Sequence, residues 1–244
     1  MQVFVVDSYE EQCAIGADLI EAVVRSQPDC CLGLATGSSP VGIYQELARR
    51  FREEGLDFSQ VSTVNLDEYV GLAPDHEQSY RYFMDSNLFD HINIDKAHTY
   101  VAKGLGDVEK NLEEFRAVLR DSHVALQLLG VGPDGHIAFN EPADELHASA
   151  HMEYIDESTI DANARFFASR DEVPRTALTM GIGEIMRAKK LVTIISGSNK
   201  AEAARKLLVE DVITPRCPVT LMKAHPDSTV IITKALAEQI GYKG

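Results

Sequence analysis

Basic residues are scarce in this sequence: 23 lysines and arginines stand against 38 aspartates and glutamates, a net charge of −15. That balance argues against nucleic acid as the main partner, because a phosphate backbone is bound through basic surface. Cysteine is sparse too. Cys13, Cys30, Cys31 and Cys217 form no CxxC pair and two of them are adjacent, which indicates neither a zinc site nor a disulfide framework. Reduced thiols are expected. No apolar run approaches the ~20 residues of a membrane span. The opening MQVFVVDSYEEQ meets acidic residues early and lacks the basic start and long apolar stretch of a signal peptide. A cytoplasmic protein without a membrane partner is expected.

At 244 residues, with 45% apolar and 25% charged residues, the chain suits one large α/β domain rather than a disordered segment or a fibre. Strands are predicted at 2–6, 30–35, 61–66, about 99–101, 124–131, 152–155, 191–195 and 229–233. Helices are predicted at about 8–25, 41–54, 79–89, 107–120, 176–187, 201–209 and 236–240, with a helical turn over 157–164. Ser8 and Glu11 have capping-box spacing at the first helix. The alternation implies a three-layer αβα architecture, a Rossmann-like open and mostly parallel sheet flanked by helices. There is no internal repeat, low-complexity tract or Pro/Ser-rich linker, so residues 1–244 read as a single domain. Tyr80, Tyr82 and Phe83 fall on the apolar side of a helix and are expected in the core. His76, His91, His98, His123, His147, His151 and His225 have no partner pattern and are expected at the surface.

The chain is organised around residues 124–142, VALQLLGVGPDGHIAFNEP. An uncharged run reads as a buried strand, and Gly130, Gly132, Pro133 and Gly135 break it into a tight loop. Asp134, His136 and Glu141 follow just beyond the strand end, where open α/β sheets place their ligands. An imidazole between carboxylates can take and return a proton, since its unperturbed pKa of ~6.5 lies near neutrality.

Three other stretches fit such a site. Residues 33–40, GLATGSSP, join a strand to a helix through Thr36, Gly37, Ser38 and Ser39. They form either an anion-binding helix start with hydroxyl donors or an ordinary turn capped by Ser39. This stretch has neither the lysine and spacing of a Walker A loop nor a GxGxxG fingerprint. Residues 196–200, SGSNK, repeat the same grammar, and Lys200 opposes the helix dipole unless it meets solvent or a negative ligand. Asp67 and Glu68 follow a strand; Asp67 is either a helix cap or a general base facing the crevice. Arg165 either stacks on Phe166, is exposed, or binds a ligand.

LGLATGSSP, NLDEYVGL, GVGPDGHIAFNEP, NARFF, ALTMGIG and SGSNKAEA, spread in order over nearly the whole chain, resemble the glucosamine-6-phosphate deaminases. The resemblance implies conversion of glucosamine 6-phosphate and water to fructose 6-phosphate and ammonia, in amino-sugar catabolism, with no metal or organic cofactor. It implies that His136 opens the pyranose ring, that Asp134 and Glu141 orient it, and that Asp67 carries a proton from C2 to C1 through an enolamine. Thr36, Gly37, Ser38, Ser39, Arg165 and Lys200 resemble the family's phosphate-binding residues, and residues 155–175 its mobile lid.

Where the long, allosterically activated members carry small hydroxyl and basic residues after the NEP motif, this chain has Asp144, Glu145, His151 and Glu153, and it stops soon after its last strand. Acidic groups there would repel a phosphorylated activator, so no activation by N-acetylglucosamine 6-phosphate is expected, and a monomer or small homo-oligomer fits. Two other readings compete: a 6-phosphogluconolactonase, which shares the Asp-Gly-His core but continues differently, and a non-catalytic sugar-phosphate sensor, which would bind without turnover.

Overall fold

In chain order the elements are β1 (Gln2–Val6), α1 (Tyr9–Ser26), β2 (Cys31–Leu34), α2 (Val41–Glu54), β3 (Ser62–Asn65), β4 (Asp67–Tyr69), α3 (Tyr80–Asn87), β5 (Thr99–Tyr100), α4 (Val108–Asp121), β6 (Val124–Leu129), β7 (His151–Tyr154), α5 (Glu157–Asn163), β8 (Thr176–Thr179), α6 (Ile182–Ile185), β9 (Leu191–Ile195), α7 (Ala201–Leu208), β10 (Ser228–Thr233) and α8 (Lys234–Gln239). This is a computed structural model, and it describes all 244 residues, Met1–Gly244. Seven strands form a parallel sheet in the order β1-β10-β9-β6-β2-β3-β5. The sheet is mostly buried on both faces, which is why its strands read as continuous apolar runs rather than alternating ones. Along β9, Leu191 and Ile195 face a core with Phe115, Leu207 and Leu236, while Val192 and Ile194 face the opposite core with Ile20, Ile43 and Leu47.

The first helix is capped as its residues suggest: Ser8 Oγ accepts the backbone N–H of Glu11 at 3.1 Å. The Glu11 carboxylate reaches one residue further out than a standard capping box, accepting the N–H of Asp7 at 2.7 Å. Gly55, in the left-handed region at φ 66°, terminates α2.

Three sequence expectations are corrected here. Residues 176–187, expected as helix, open as strand β8 and only then turn into the short α6. β8 pairs antiparallel with both β4 and β7, and this long-range pairing overrides the helical preference of Ala177, Leu178 and Met180. Asp67 and Glu68 do follow strand β3, as expected, and with Tyr69 they themselves form strand β4 of this small second sheet. Tyr82 is exposed, whereas His151 and His225, expected at the surface, are buried. Each buried histidine finds polar partners, the Ser149 carbonyl and Glu153 for His151 and the Ala188 carbonyl for His225.

The second sheet also carries the segment 155–175. This segment is an excursion between β7 and β8, closed at its base where the Ile155 N–H donates to the Arg175 carbonyl at 3.0 Å. It is laced on its outer side by Arg170 paired with Glu157 and Asp161, and Arg175 paired with Glu157. Its inner side packs Ile160 and Val173 against Tyr69 and Phe139.

Candidate active site

Four loops leave the carboxyl ends of β2, β3, β6 and β9, which are neighbours in the sheet. They converge on one cavity of about 360 Å³, lined by Thr36, Gly37, Ser38 and Ser39 after β2, Leu66 and Asp67 after β3, residues 130–133 with His136 after β6, and Asn199 and Lys200 after β9. Thr159, Ala162, Asn163, Arg165 and Phe166 line it from the 155–175 excursion.

The loop after β6 is built to seat an imidazole. Asp134 Oδ1 accepts the backbone N–H of His136 at 3.0 Å and lies 2.9 Å from its ring Nδ1. Glu141 Oε2 approaches the same Nδ1 at 3.2 Å. With Nδ1 turned to two carboxylates, Nε2 is the nitrogen left to the cavity. Burial disfavours the imidazolium, but hydrogen bonding and attraction from Asp134 and Glu141 outweigh it and lift the His136 pKa to about 10. Burial pushes Asp134 up, but His136 more than reverses this and brings it to about 2. Neither carboxylate lines the cavity, so both act through the imidazole. The ligand atoms of these three residues lie within 4.8 Å of one another. The nitrogen stands within ion-pair distance of both carboxylates.

Two backbone features hold this geometry. Gly132 leaves room for the ring, since a Cβ there would lie 2.2 Å from His136 Cε1. Residues 130–135 carry GxGxxG spacing, but no helix follows them, and of their glycines it is Gly132 that meets the imidazole. Ala138 adopts φ 54°, a left-handed conformation that costs a non-glycine residue about 1 kcal/mol. The turn around it is held because Asn140 Nδ2 donates to the carbonyls of Ile137 and Met180, at 3.0 and 2.8 Å.

Asp67 is buried and no donor reaches its carboxylate. Burial first, then repulsion from Glu68, raises its pKa to about 8, with His136 partly opposing. Glu68, one residue on, points to the other side of β4, as strand alternation requires. There it accepts the N–H groups of Tyr80 and Arg81 at 2.9 and 3.1 Å and so caps α3. Sequence reading missed this role, although the period of two and the Ser79 helix start were both visible. Tyr80, expected in the core, does pack against it and also forms part of the cavity wall.

At the helix starts, Pro40 occupies the N-cap of α2 and no side chain caps it, so Ser39 is not a cap. The hydroxyls of Thr36, Ser38 and Ser39 make no internal hydrogen bond; the loop is tied instead by the Tyr9 hydroxyl, which donates to the Ser39 carbonyl at 3.0 Å. Lys200 is half-buried, and burial, then Arg165, lowers its pKa. Arg165 lies 4.6 Å over the Phe166 ring. Neither cation has a carboxylate partner in a chain with 38 acidic residues. Two unpaired cations, three free hydroxyls and a helix start on one cavity suit a doubly charged anion.

Fold and cavity thus define a class, the open α/β proteins that set acid–base groups and an anion site at the carboxyl ends of parallel strands. Residues 8–231 match the family described as glucosamine-6-phosphate isomerases/6-phosphogluconolactonase, and the chain belongs to that family. Glucosamine-6-phosphate deaminase of Clostridium perfringens is 48% identical over 240 residues, covering 98% of this chain and 99% of that one. The deaminase of Thermoanaerobacter pseudethanolicus is 43% identical over 242 residues, covering 98% and 95%. A solved monomeric glucosamine-6-phosphate deaminase matches with a TM-score of 0.94 at 39% identity, over 98% of this chain and 99% of the other. A 6-phosphogluconolactonase from Trypanosoma brucei matches with a TM-score of 0.77 at 16% identity over 98% of each chain, a likeness of fold alone.

Proposed function

We propose that this protein is an enzyme that converts glucosamine 6-phosphate and water to fructose 6-phosphate and ammonia, a glucosamine-6-phosphate deaminase. The observation that carries the reading is the placing of Asp67, a buried carboxylate poised near neutrality, on one cavity with His136 and the unpaired Lys200 and Arg165. Full-length identity to deaminases supports it over lactone hydrolysis.

The phosphate lies among residues 36–39, Arg165 and Lys200. His136 moves a proton from the C1 hydroxyl to the ring oxygen O5, opening the pyranose to an aldehyde, with Asp134 and Glu141 holding its tautomer and charge. Asp67 takes the proton from C2 as the aldehyde oxygen gains one, giving an enolamine with the nitrogen on C2. Returning that proton to C1 produces the C2 imine. Water adds to the imine, ammonia leaves, and the ketose remains. The enolamine keeps electron density on a neutral double bond, so no free carbanion has to be held.

The segment 155–175 is proposed to be a lid that closes over the sugar, on one domain formed by residues 1–244. Hydrogen exchange in its backbone amides is expected to slow when fructose 6-phosphate binds. The protein is proposed to act as a monomer in the cytoplasm, where a phosphorylated sugar is retained. Activation by N-acetylglucosamine 6-phosphate is not expected, because Asp144, Glu145 and Glu153 place negative charge after the NEP motif and Asp144 already occupies Arg216.

Lys200→Met or Arg165→Ala should raise KM by about 10- to 100-fold with a smaller change in kcat, since each removes a charge-assisted bond worth about 1.5–3 kcal/mol. Steady-state kinetics on glucosamine 6-phosphate checks this. The pH profile follows from two groups. Asp67 is a base only when ionised, so kcat/KM should rise through pH about 8. It should fall beyond about 10, where His136 loses its proton.

A further inference from the structure

Thr159 sits in α5, within the 155–175 excursion, and its hydroxyl donates to Glu141 Oε1 at 2.8 Å. Both side chains are buried. The other oxygen of that carboxylate, Oε2, is the one 3.2 Å from His136 Nδ1. The excursion therefore reaches the imidazole through a single intervening group. We propose that Thr159 is a positioning residue through which docking of the 155–175 segment sets how tightly His136 holds its proton. The inference rests on the deaminase reading for its catalytic meaning.

One Nδ1–H faces two carboxylates, so its sharing depends on what else each carboxylate accepts. Asp134 Oδ1 takes the His136 backbone N–H, a contact internal to the loop that persists wherever the excursion lies. Glu141 takes the Thr159 hydroxyl, a contact that exists only while α5 is seated. A hydroxyl donated to a carboxylate disperses its charge and weakens its hold on any other proton. The charged groups facing the imidazole are all acidic: Asp134 and Glu141 on its own loop, Asp67 on β4, Asp156 before α5, and beyond Asp156 the Glu153 of β7. With the segment lifted, Asp156 leaves with it, but Glu141 loses the Thr159 donor and holds the imidazolium more tightly through direct contact. With it seated, the Thr159 donor relaxes the hold, and the proton becomes transferable when the sugar is enclosed.

Asn163 marks the same docked state, donating to the Tyr69 hydroxyl at 2.9 Å, but Tyr69 makes no contact with the imidazole cluster's carboxylates and only anchors the segment. Packing alone would make Thr159 a shape-filling residue, and two substitutions separate the roles. Thr159→Val keeps the shape and removes the donor; Thr159→Ser keeps the donor and removes a methyl group.

The test uses the full chain, reading the His136 titration by NMR without substrate and kcat and KM with glucosamine 6-phosphate. In Thr159→Val the midpoint should rise by about half a pH unit or more, and kcat should fall about five- to twenty-fold with KM changed less. Thr159→Ser should restore both. A valine variant that titrates like the parent, or a serine variant as impaired as the valine one, overturns the proposal. The titration needs no turnover, so a chain inactive on glucosamine 6-phosphate would refute the deaminase reading while the midpoint still judges Thr159.

Discussion

Asp67→Asn is expected to lower kcat by about 10²- to 10⁴-fold, the range for loss of a positioned general base, and at the same time to make the fold more stable. Both effects come from one fact, a carboxyl buried with no donor directed at it. Its pKa is about 8 in the folded chain against an ordinary 3.8. A folded pKa raised above the unfolded one favours folding at low pH, and that contribution is lost as pH climbs from about 4 through about 8. Ionising Asp67 thus opposes folding in the working range. Asparagine has the same shape and cannot ionise, so the variant should gain about 1–3 kcal/mol near pH 8, a figure discounted for relaxation around the charge. His136 adds to the alkaline sensitivity of the parent, since its pKa is raised to about 10 and its contribution is lost between about pH 6.5 and 10. Urea midpoints at pH 5 and pH 8 should therefore separate the two proteins mainly at pH 8. An asparagine variant that keeps its activity, or that is less stable at pH 8, contradicts the assignment.

Gly132→Ala should be nearly as damaging to catalysis while sparing the fold. The added Cβ would stand 2.2, 2.3 and 2.5 Å from Cε1, Nδ1 and Nε2 of His136. A ring on a rotatable side chain can swing away, so the backbone is left in place. The ring then loses its approach to Asp134 and Glu141, and its free nitrogen no longer points at the sugar. Misplacement of a reacting group by 1 Å costs about 10²-fold, so kcat should fall by at least that much, with circular dichroism unchanged and the unfolding midpoint only modestly lower. Activity within a few-fold of the parent would show that the ring is not held where this geometry needs it.

Much of the fold was legible because it rests on local signals. Continuous apolar runs such as 191–195 and 229–233 mark strands covered on both faces, and Ser8 marks a helix start. The clustering of Asp67, His136, Lys200 and residues 36–39 followed from each lying after a parallel strand, since such strands present their carboxyl ends on one side. What escaped reading depends on partners distant in the chain. β8 exists because β4 and β7 flank it, and Ala177 and Leu178 carry no trace of that. Glu68 caps a helix twelve residues further on, and Thr159 touches Glu141 only because the 155–175 segment folds back. His151 and His225 are buried because particular carbonyls receive them, which no residue pattern announces.

The central claim is tested most directly by incubating the protein with glucosamine 6-phosphate while following ammonia and fructose 6-phosphate together. Equal amounts of both, at matching rates and abolished by Asp67→Asn, are the predicted result. Binding of the sugar phosphate with neither product released, or hydrolysis of 6-phosphogluconolactone in place of deamination, would contradict it.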